Sequence, residues 1–235
     1  MDLENLRKAI VPLYLEDYPS HVELIGTGIC VNYKGNYLIL TASHVAKQFS
    51  EKSLVVPEFI NDTSNFELVN IKGSSSYIKN EFLDIGYFKL EESLKGVPFL
   101  DFDNTVCSTG DFIKFVLYGY PCSKNKQRGT VMEAKPYSIS AIMADLSREQ
   151  ANLKRFEFPI LFDKNKVWVD NKPVVAPDLN GMSGGPIFAT KNNKDYFLFG
   201  LIEKYNDNQK ILNNQKILVG IYAFVFKILF ERNNL

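Results

Sequence analysis

Residues 179–188 read Leu-Asn-Gly-Met-Ser-Gly-Gly-Pro-Ile-Phe and place one serine, Ser183, among three glycines. A serine hydroxyl is a weak nucleophile at neutral pH, and it needs a neighbouring base and amide donors that face the bond it attacks. Glycines let the backbone turn sharply, so that successive N–H groups converge on one point. The same pattern also fits a tight turn without chemistry. The choice therefore depends on whether a base and an acid occur elsewhere in the chain.

A base and an acid both occur at the ends of strand-like segments. The chain has two histidines, His21 and His44, and His44 follows the apolar, β-prone residues 37–40. Asp84 opens a second apolar run over residues 85–90. A histidine can also be satisfied within a core, and an aspartate commonly forms a turn or flanks a strand. Neither residue identifies a site by itself.

The three segments together resemble the chymotrypsin/trypsin-like serine peptidases, including bacterial trypsin-like and HtrA-type protease domains. Residues 41–45, Thr-Ala-Ser-His-Val, resemble the Thr-Ala-Ala/Ser-His block of that family. Residues 84–90, Asp-Ile-Gly-Tyr-Phe-Lys-Leu, and residues 181–186, Gly-Met-Ser-Gly-Gly-Pro, resemble its other two blocks. The order His, Asp, Ser is that of chymotrypsin and not that of subtilisin or the α/β-hydrolases.

The resemblance implies an all-β fold, a chymotrypsin-like double six-stranded β-barrel with short N-terminal and C-terminal helices. A length of 235 residues with 46% hydrophobic content is compatible with one such domain. The expected divisions of this single domain, residues 1–235, are an N-terminal helical extension over 1–22, a first barrel over 23–105, a second barrel over 106–222 and a C-terminal helix over 223–235. In the family, this last helix is expected to pack on the second barrel.

The resemblance also implies a role for each residue of the three blocks. Ser183 would attack the scissile carbonyl as the nucleophile, and His44 would accept its proton and later donate it to the leaving amine. Asp84 would hold the other imidazole nitrogen. The backbone N–H groups of Gly181 and Ser183 would form the oxyanion hole. The expected partner is a protein or peptide substrate, and nothing in these segments requires a cofactor or a metal.

Substrate-binding candidates follow from the same resemblance and are Asp178, Glu203 and Gly220. The strand around Glu203 resembles the one that pairs with the substrate backbone, and the segment beginning at Gly220 resembles a wall of the primary pocket. Trypsin-type enzymes carry their specificity aspartate at the position of Pro177. Asp178, one residue on, either places a carboxylate in the pocket and favours Lys or Arg, or faces solvent.

One residue departs from the pattern of the cleavage-activated members. Those members carry an aspartate immediately before the serine, where this chain has Met182. A thioether cannot form the ion pair with a newly cut N-terminus that this aspartate makes. We therefore expect a site that is either constitutively formed or switched by a regulatory protein partner.

Net charge, hydropathy and cysteine content narrow the possible partners and the cellular location. The net formal charge is zero, so nucleic-acid binding has no electrostatic support. No window approaches 18 consecutive apolar residues, which argues against a membrane span, and no membrane partner is expected. Three cysteines, an odd number, and the lack of a secretory signal favour a reducing, cytoplasmic location.

Two alternatives from other functional classes remain at this stage. The first is a catalytically silent protease fold that acts as a binding module, although His44, Asp84 and Ser183 are all present. The second is an esterase that uses the same three residues, since the chemistry of acyl transfer is shared.

Local patterns predict several secondary-structure elements. Residues 23–33 and 36–43 alternate like paired strands, and Lys34-Gly35 favours a tight turn between them. Helical spacing of apolar residues predicts an amphipathic helix over residues 2–11.

Two further segments read as non-strand structure. Residues 73–76, Gly-Ser-Ser-Ser, predict a loop. Residues 145–156 have a helical composition and predict a connecting helix or a surface insertion near the substrate cleft.

Overall fold

The computed structural model describes residues 1–18, 21–50, 53–59, 66–79, 83–107, 110–125, 134–147, 152–163, 167–169, 172–211 and 215–235. Its helices are short: α1 Leu3–Lys8, α2 Ser43–Ala46, α3 Phe102–Thr105 and α4 Phe226–Arg232. Among the described residues, no helix is long and apolar enough to cross a membrane.

Strands make up most of the ordered structure, as the all-β prediction requires. In the first half of the chain they are β1 Ile10–Tyr18, β2 His21–Tyr33, β3 Asn36–Thr41, β4 Ser53–Phe59, β5 Phe66–Asn70, β6 Gly73–Lys79, β7 Asp84–Leu90 and β8 Leu100–Asp101. In the second half they are β9 Lys114–Gly119, β10 Tyr137–Met143, β11 Glu157–Asp163, β12 Val167–Val169, β13 Lys172–Val174, β14 Pro186–Thr190, β15 Tyr196–Ile211 and β16 Gln215–Tyr222.

The second half of the chain forms a closed six-stranded barrel. Its strands follow the order β10-β11-β16-β15-β14-β9, with antiparallel pairing throughout. The separate pair β12-β13 forms a small two-stranded sheet. Closure leaves the barrel strands without a free edge, and their inward side chains fill the interior. Aromatic rings such as Phe158 and Phe199, with centroids 4.9 Å apart, form part of this core.

The first half forms a second sheet. Its strand order is β5-β4-β1-β2-β3-β7-β6, and β8 adds to β2 in parallel. The two ends of this path, β5 and β6, are consecutive in the chain. The segment that joins β5 to β6 is hydrogen-bonded to its neighbours at both residues. The N–H of Ile71 donates to Leu54 O, and the N–H of Glu91 donates to Lys72 O. Together the two halves confirm the double-barrel prediction.

The predicted hairpin between β2 and β3 is present. Tyr33 pairs with Asn36, and Lys34 and Gly35 between them have φ of 49° and 84°. Positive φ at both central residues is the geometry of a type I′ turn, whose twist matches that of the flanking strands. This hairpin leads directly into α2, which carries His44.

The N-terminal segment differs from the predicted helical extension over residues 1–22. The helix ends at Lys8, and Ile10–Tyr18 forms strand β1 in the middle of the first sheet, between β2 and β4. Pro12 lacks the N–H that a continued helix would need, and apolar residues from Ile10 onward suit a buried strand. The first sheet therefore begins well before residue 23.

Two local predictions in the interior of the chain were wrong. Residues 73–76 belong to β6, which pairs with β7 at the edge of the sheet, where small polar side chains can face solvent. Of the predicted helix over 145–156, residues 145–147 and 152–156 are not helical, and residues 148–151 lie outside the described part. Asn152 has φ of 50° and starts a turn that leads into β11.

The C-terminal helix is present, but it packs on the first sheet and not on the second barrel. Phe230 of α4 is fully buried. Its ring lies 4.6 Å from the ring of Tyr33, 5.1 Å from that of Phe102 and 5.6 Å from that of Tyr87, measured between centroids. The expected partner was wrong because helical spacing shows which face of α4 is apolar but not which surface that face meets.

Replacing Phe230 with alanine tests this packing. We expect Phe230→Ala to lower the free energy of unfolding by about 3–5 kcal/mol, because a large buried ring leaves a cavity. Ile228 lies on the same helix and is 43% exposed, so Ile228→Ala is a matched control with an expected change below about 1 kcal/mol. Urea unfolding measures both, and equal losses would contradict the described packing of α4.

Candidate active site

His44 and Asp84 lie together because their strands are paired. His44 is in α2, immediately after β3, and Asp84 is the first residue of β7. Strands β3 and β7 pair with Thr41 opposite Gly86, which brings the end of one next to the start of the other. The His44 Nδ1 and Asp84 Oδ2 atoms are 2.8 Å apart, a hydrogen-bond distance.

Asp84 accepts hydrogen bonds from two further donors. The backbone N–H of His44 donates to Asp84 Oδ1 at 3.1 Å, and the hydroxyl of the fully buried Ser43 donates to the same oxygen. Burial alone raises the pKa of Asp84, but the hydrogen bonds from His44 and Ser43 and the charge interaction with His44 outweigh it. The pKa is lowered to about 2. The carboxylate is therefore ionised at neutral pH although it is only 8% exposed.

Ser183 lies in the segment between β13 and β14, and we call residues 179–185 the serine loop. Two hydrogen bonds of 2.8 Å hold this loop to β15: Gly184 N–H donates to Ile202 O, and Ile202 N–H donates to Gly185 O. A third bond, of 2.9 Å, runs from Thr27 N–H in β2 to Ser183 O. The loop is thus fastened to both halves of the molecule.

The hydroxyls of two buried threonines complete that attachment. Thr27 Oγ1 donates to Gly181 O at 2.8 Å and accepts from the N–H of Tyr120 at 3.0 Å. Thr41 Oγ1 donates to Thr27 O at 2.8 Å. Both threonines are fully buried. Both threonine hydroxyls are hydrogen-bonded, so their burial costs little.

Gly184 is required by its surroundings. Its φ is 81°, in the left-handed region, and a Cβ there would collide with Thr41 Oγ1 and Thr27 O. A side chain at this position would therefore push the serine loop away from the first sheet. Glycine is therefore needed at position 184 for two reasons: the turn has a positive φ there, and the backbone of the first sheet lies too close to admit a side chain.

The amides that were predicted to form an oxyanion hole are free to do so. Within the described part of the chain, the N–H groups of Gly181 and Ser183 donate to no protein acceptor. Gly181 has φ of 90°, and a Cβ there would lie 2.7 Å from Cys122 Sγ. Unpaired amides beside a serine hydroxyl can stabilise a negative charge that develops there.

A cleft of about 350 Å³ brings the predicted groups together. It is lined by His44, Ser183, Gly181 and Asp178, together with other residues of both halves. The side chain of His44 is 34% exposed and so can meet a ligand in the cleft. Among the described residues no hydrogen bond joins His44 to Ser183. Such bonds often tighten only when substrate is present.

A family model described as the trypsin-like peptidase domain matches residues 26–194, more than half of the chain. The chain belongs to this family. No curated protein matches its sequence. Among solved structures, the trypsin-like fold is shared with neuropsin, a serine protease expressed in the limbic system of mouse brain. The TM-score is 0.63 at 15% identity, and the match covers 98% of this chain and 96% of that one.

The predicted substrate-binding residues of this trypsin-like domain divide into two groups. Asp178 lies in the cleft and is exposed, and its carboxylate accepts from Asn180 N at 3.2 Å and from Asn180 Nδ2 at 3.0 Å. Glu203 and Gly220 do not line the cleft. A Cβ on Gly220 would lie 2.6 Å from both Ile187 and Phe158, so this glycine faces packed core.

The side chain of Glu203 points away from the cleft because successive side chains of a strand point to opposite faces, and the pairing of its strand with a substrate backbone stays a prediction. Its neighbours Ile202 and Lys204 line the cleft, whereas the carboxyl of Glu203 is 3% exposed and lies 3.6 Å from Lys154 Nζ and 3.5 Å from Lys204 Nζ. Lys204 is therefore a cleft residue that the sequence analysis missed.

Three buried polar residues of the trypsin-like site were also missed: Thr27, Thr41 and Ser43. A sequence signal existed, because Thr27 stands between Gly26 and Gly28 in a strand whose other central residues are apolar. A polar residue inside a buried strand must find a partner, and here that partner is the serine loop.

Replacing Ser43 tests how Asp84 is kept ionised. We expect Ser43→Ala to destabilise the protein by about 1.5–3 kcal/mol at pH 7, since a hydrogen bond to a charged group is lost. The lowered pKa of Asp84 gives stability that is present above pH 4 and is lost as pH falls towards 2. The variant raises that pKa, so acid unfolding shifts to higher pH. Tyrosine fluorescence during acid titration measures the pH at which the protein unfolds, and the exposed Ser93→Ala is the control. Unfolding of Ser43→Ala at the same pH as the wild type would contradict the prediction.

Proposed function

We propose that this chain is a serine endopeptidase that hydrolyses peptide bonds through His44, Asp84 and Ser183 with an acyl-enzyme intermediate. The observation that carries the proposal is the 2.8 Å contact of His44 Nδ1 with Asp84 Oδ2, with His44 and Ser183 lining one cleft. Membership of the trypsin-like peptidase family supports it.

The first half of the reaction acylates the serine. Ser183 Oγ attacks the scissile carbonyl carbon while His44 Nε2 takes the hydroxyl proton. The carbonyl oxygen becomes an oxyanion and accepts hydrogen bonds from the N–H groups of Gly181 and Ser183. The tetrahedral intermediate then collapses: the C–N bond breaks, the imidazolium of His44 donates its proton to the leaving amine, and an ester to Ser183 remains.

The second half releases the acid product by the same groups. Water attacks the ester carbonyl and gives a proton to His44, and collapse returns that proton to Ser183 Oγ. Asp84 stays ionised throughout because of its lowered pKa. Its bond to Nδ1–H fixes the tautomer in which Nε2 is the base, and its charge stabilises the imidazolium.

A weak preference for Lys or Arg at the cleaved position is part of the proposal. Of the residues that the structure describes, two acids, Glu23 and Asp178, line the cleft together with one lysine, Lys204. The ammonium of Lys204 is engaged by Glu157 at 3.2 Å and Glu203 at 3.5 Å. The negative charge of Glu157 offsets part of the charge of Lys204, and the two acidic residues at the cleft favour a basic side chain.

The serine loop is formed without an ion pair at the position before the serine. Met182 is fully buried, and a Cβ on Gly119 would lie 2.9 Å from Met182 Cγ. Apolar packing of this tightness supports a site that needs no cleavage of the chain for activation. A regulatory protein partner remains the proposed alternative means of restraint.

A fluorophosphonate probe combined with peptide hydrolysis tests the reaction. We expect the full chain to be labelled and to cleave fluorogenic peptides, and Ser183→Ala to lose both, with kcat/KM reduced by at least about 10³-fold. Ser93→Ala is the control for an exposed serine.

The outcomes separate the alternatives. Turnover of short-chain esters without peptide cleavage would indicate an esterase. A folded chain that is neither labelled nor active would indicate a binding module and would reject the proposal.

Asp178→Asn tests the specificity. We expect the preference for Lys or Arg over Leu at the cleaved position to fall by about threefold to tenfold, which is the effect of one exposed charge. The measurement is kcat/KM over a peptide library, with Asp195→Asn, an exposed site that does not line the cleft, as control. A library profile in which Lys and Arg are not enriched for the wild type would remove the preference.

A further inference from the structure

Two glutamates of the second barrel are buried against each other. Glu157 opens β11 and Glu203 lies in β15, and β16 runs between these strands. Their side chains are 0% and 3% exposed, and an oxygen of each carboxyl group lies within 3.5 Å of Lys204 Nζ. Burial and a neighbouring carboxyl group both disfavour the charged form of an acid. The arrangement therefore favours a state in which one of the two carries a proton.

The surroundings place that proton on Glu203. Its Oε2 is buried without a partner in the described part of the chain, whereas Oε2 of Glu157 accepts from the N–H of Lys154 at 2.9 Å. Burying an oxygen that has no hydrogen-bond partner costs less free energy in a neutral acid than in an ionised carboxylate. Burial, followed by the contact with Glu157, raises the pKa of Glu203 to about 8. Burial also raises the pKa of Glu157, but the bonds from Glu203 and Lys154 and the charge of Lys204 lower it overall.

Two lysines are the charged groups that face this pair among the described residues. Lys204 Nζ lies 3.2 Å from Glu157 Oε1 and 3.5 Å from Glu203 Oε1. Lys154 Nζ lies 3.7 Å from the first oxygen and 3.6 Å from the second. Both lysines are at the surface, with side chains 44% and 33% exposed, so water weakens their pull on the buried acids.

The pair adjoins the hydrogen bonds that hold the serine loop. In the pairing of β15 with β16, Ile202 is opposite Gly220 and Lys204 is opposite Val219. Glu203 between them has no partner and forms a β-bulge, a feature that often re-aims side chains next to active sites. The preceding residue, Ile202, makes both 2.8 Å bonds to the loop that carries the serine.

We infer that Glu203, held as a neutral acid by Glu157, is a positioning residue that fixes the bulge in β15 and, through Ile202, the serine loop. Loss of its proton places two carboxylates in contact, and their repulsion loosens the bulge. The serine loop then loses its alignment at alkaline pH. This inference deepens the proposed serine peptidase function and rests on it for its catalytic consequence.

An amide signal tests the coupling without using activity. The N–H of Gly184 donates to Ile202 O, so its chemical shift reports on this attachment. In ¹H–¹⁵N spectra of the full chain, we expect the Gly184 signal to titrate with a midpoint near pH 8, the pKa of Glu203. In Glu203→Gln, whose amide keeps a donor and never ionises, this transition should be absent. In Glu157→Gln it should move to lower pH, because the neighbouring negative charge is gone.

The pH profile of peptide hydrolysis tests the catalytic consequence. For the wild type, kcat/KM at pH 9 should be about tenfold lower than at pH 7, as expected for one essential proton. For Glu203→Gln, the ratio between these two values should approach one. The exposed Glu92→Gln is the matched control and should retain the wild-type profile.

Each outcome decides one claim. A Gly184 signal that does not titrate near pH 8, or that titrates equally in Glu203→Gln, overturns the inference. If the Gly184 signal titrates near pH 8 but kcat/KM does not fall at alkaline pH, the pair of glutamates has only a structural role, and the inference is likewise overturned. If Gly184 titrates as expected and no variant cleaves peptides, the coupling of Glu203 to the serine loop stands and the peptidase proposal fails.

Discussion

The hydrogen bonds of Thr27 are the constraint on which the site depends. His44 and Asp84 belong to the first sheet, and Ser183 belongs to the second barrel, so the distance between them is set by how the two halves meet. Thr27 bonds to Ser183 O through its N–H and to Gly181 O through its hydroxyl. One residue of β2 therefore fixes both ends of the turn that carries the serine, and moving the halves apart would break two buried hydrogen bonds.

Two buried acids show how neighbours set the charge of a carboxyl group. Asp84 and Glu203 are 8% and 3% exposed, so burial alone disfavours the charge of both. Among the described residues, Asp84 accepts hydrogen bonds from His44 and Ser43, and its pKa falls to about 2. Glu203 faces another carboxyl group, and its pKa rises to about 8. The first can serve as a permanent anion and the second as a proton carrier, because of their partners and not their depth.

The sequence blocks around His44, Asp84 and Ser183 were sufficient to predict the family and the double-barrel fold, which the comparisons confirm. These blocks carry information because each combines a reactive residue with the backbone that delivers it. The catalytic roles remain predictions. What the sequence could not show was the orientation of side chains across the sheet. Strand alternation and a bulge turn the side chain of Glu203 inward, whereas Lys204 beside it lines the cleft and was overlooked.

The glycines of the serine loop have two structural roles. Gly-Met-Ser-Gly-Gly-Pro fits a tight turn as well as a nucleophile, and the structure shows a tight turn that places Ser183 at the cleft. Gly181 and Gly184 have φ of 90° and 81°, as a tight turn requires. Cβ atoms at Gly184 and Gly185 would collide with the backbone of Thr27 and of Tyr118, so these glycines also let the turn wedge between β2 and β9. A turn on an open surface would need the positive φ but not the close approach. The presence of both requirements in consecutive residues is the physical reason that glycines surround this serine.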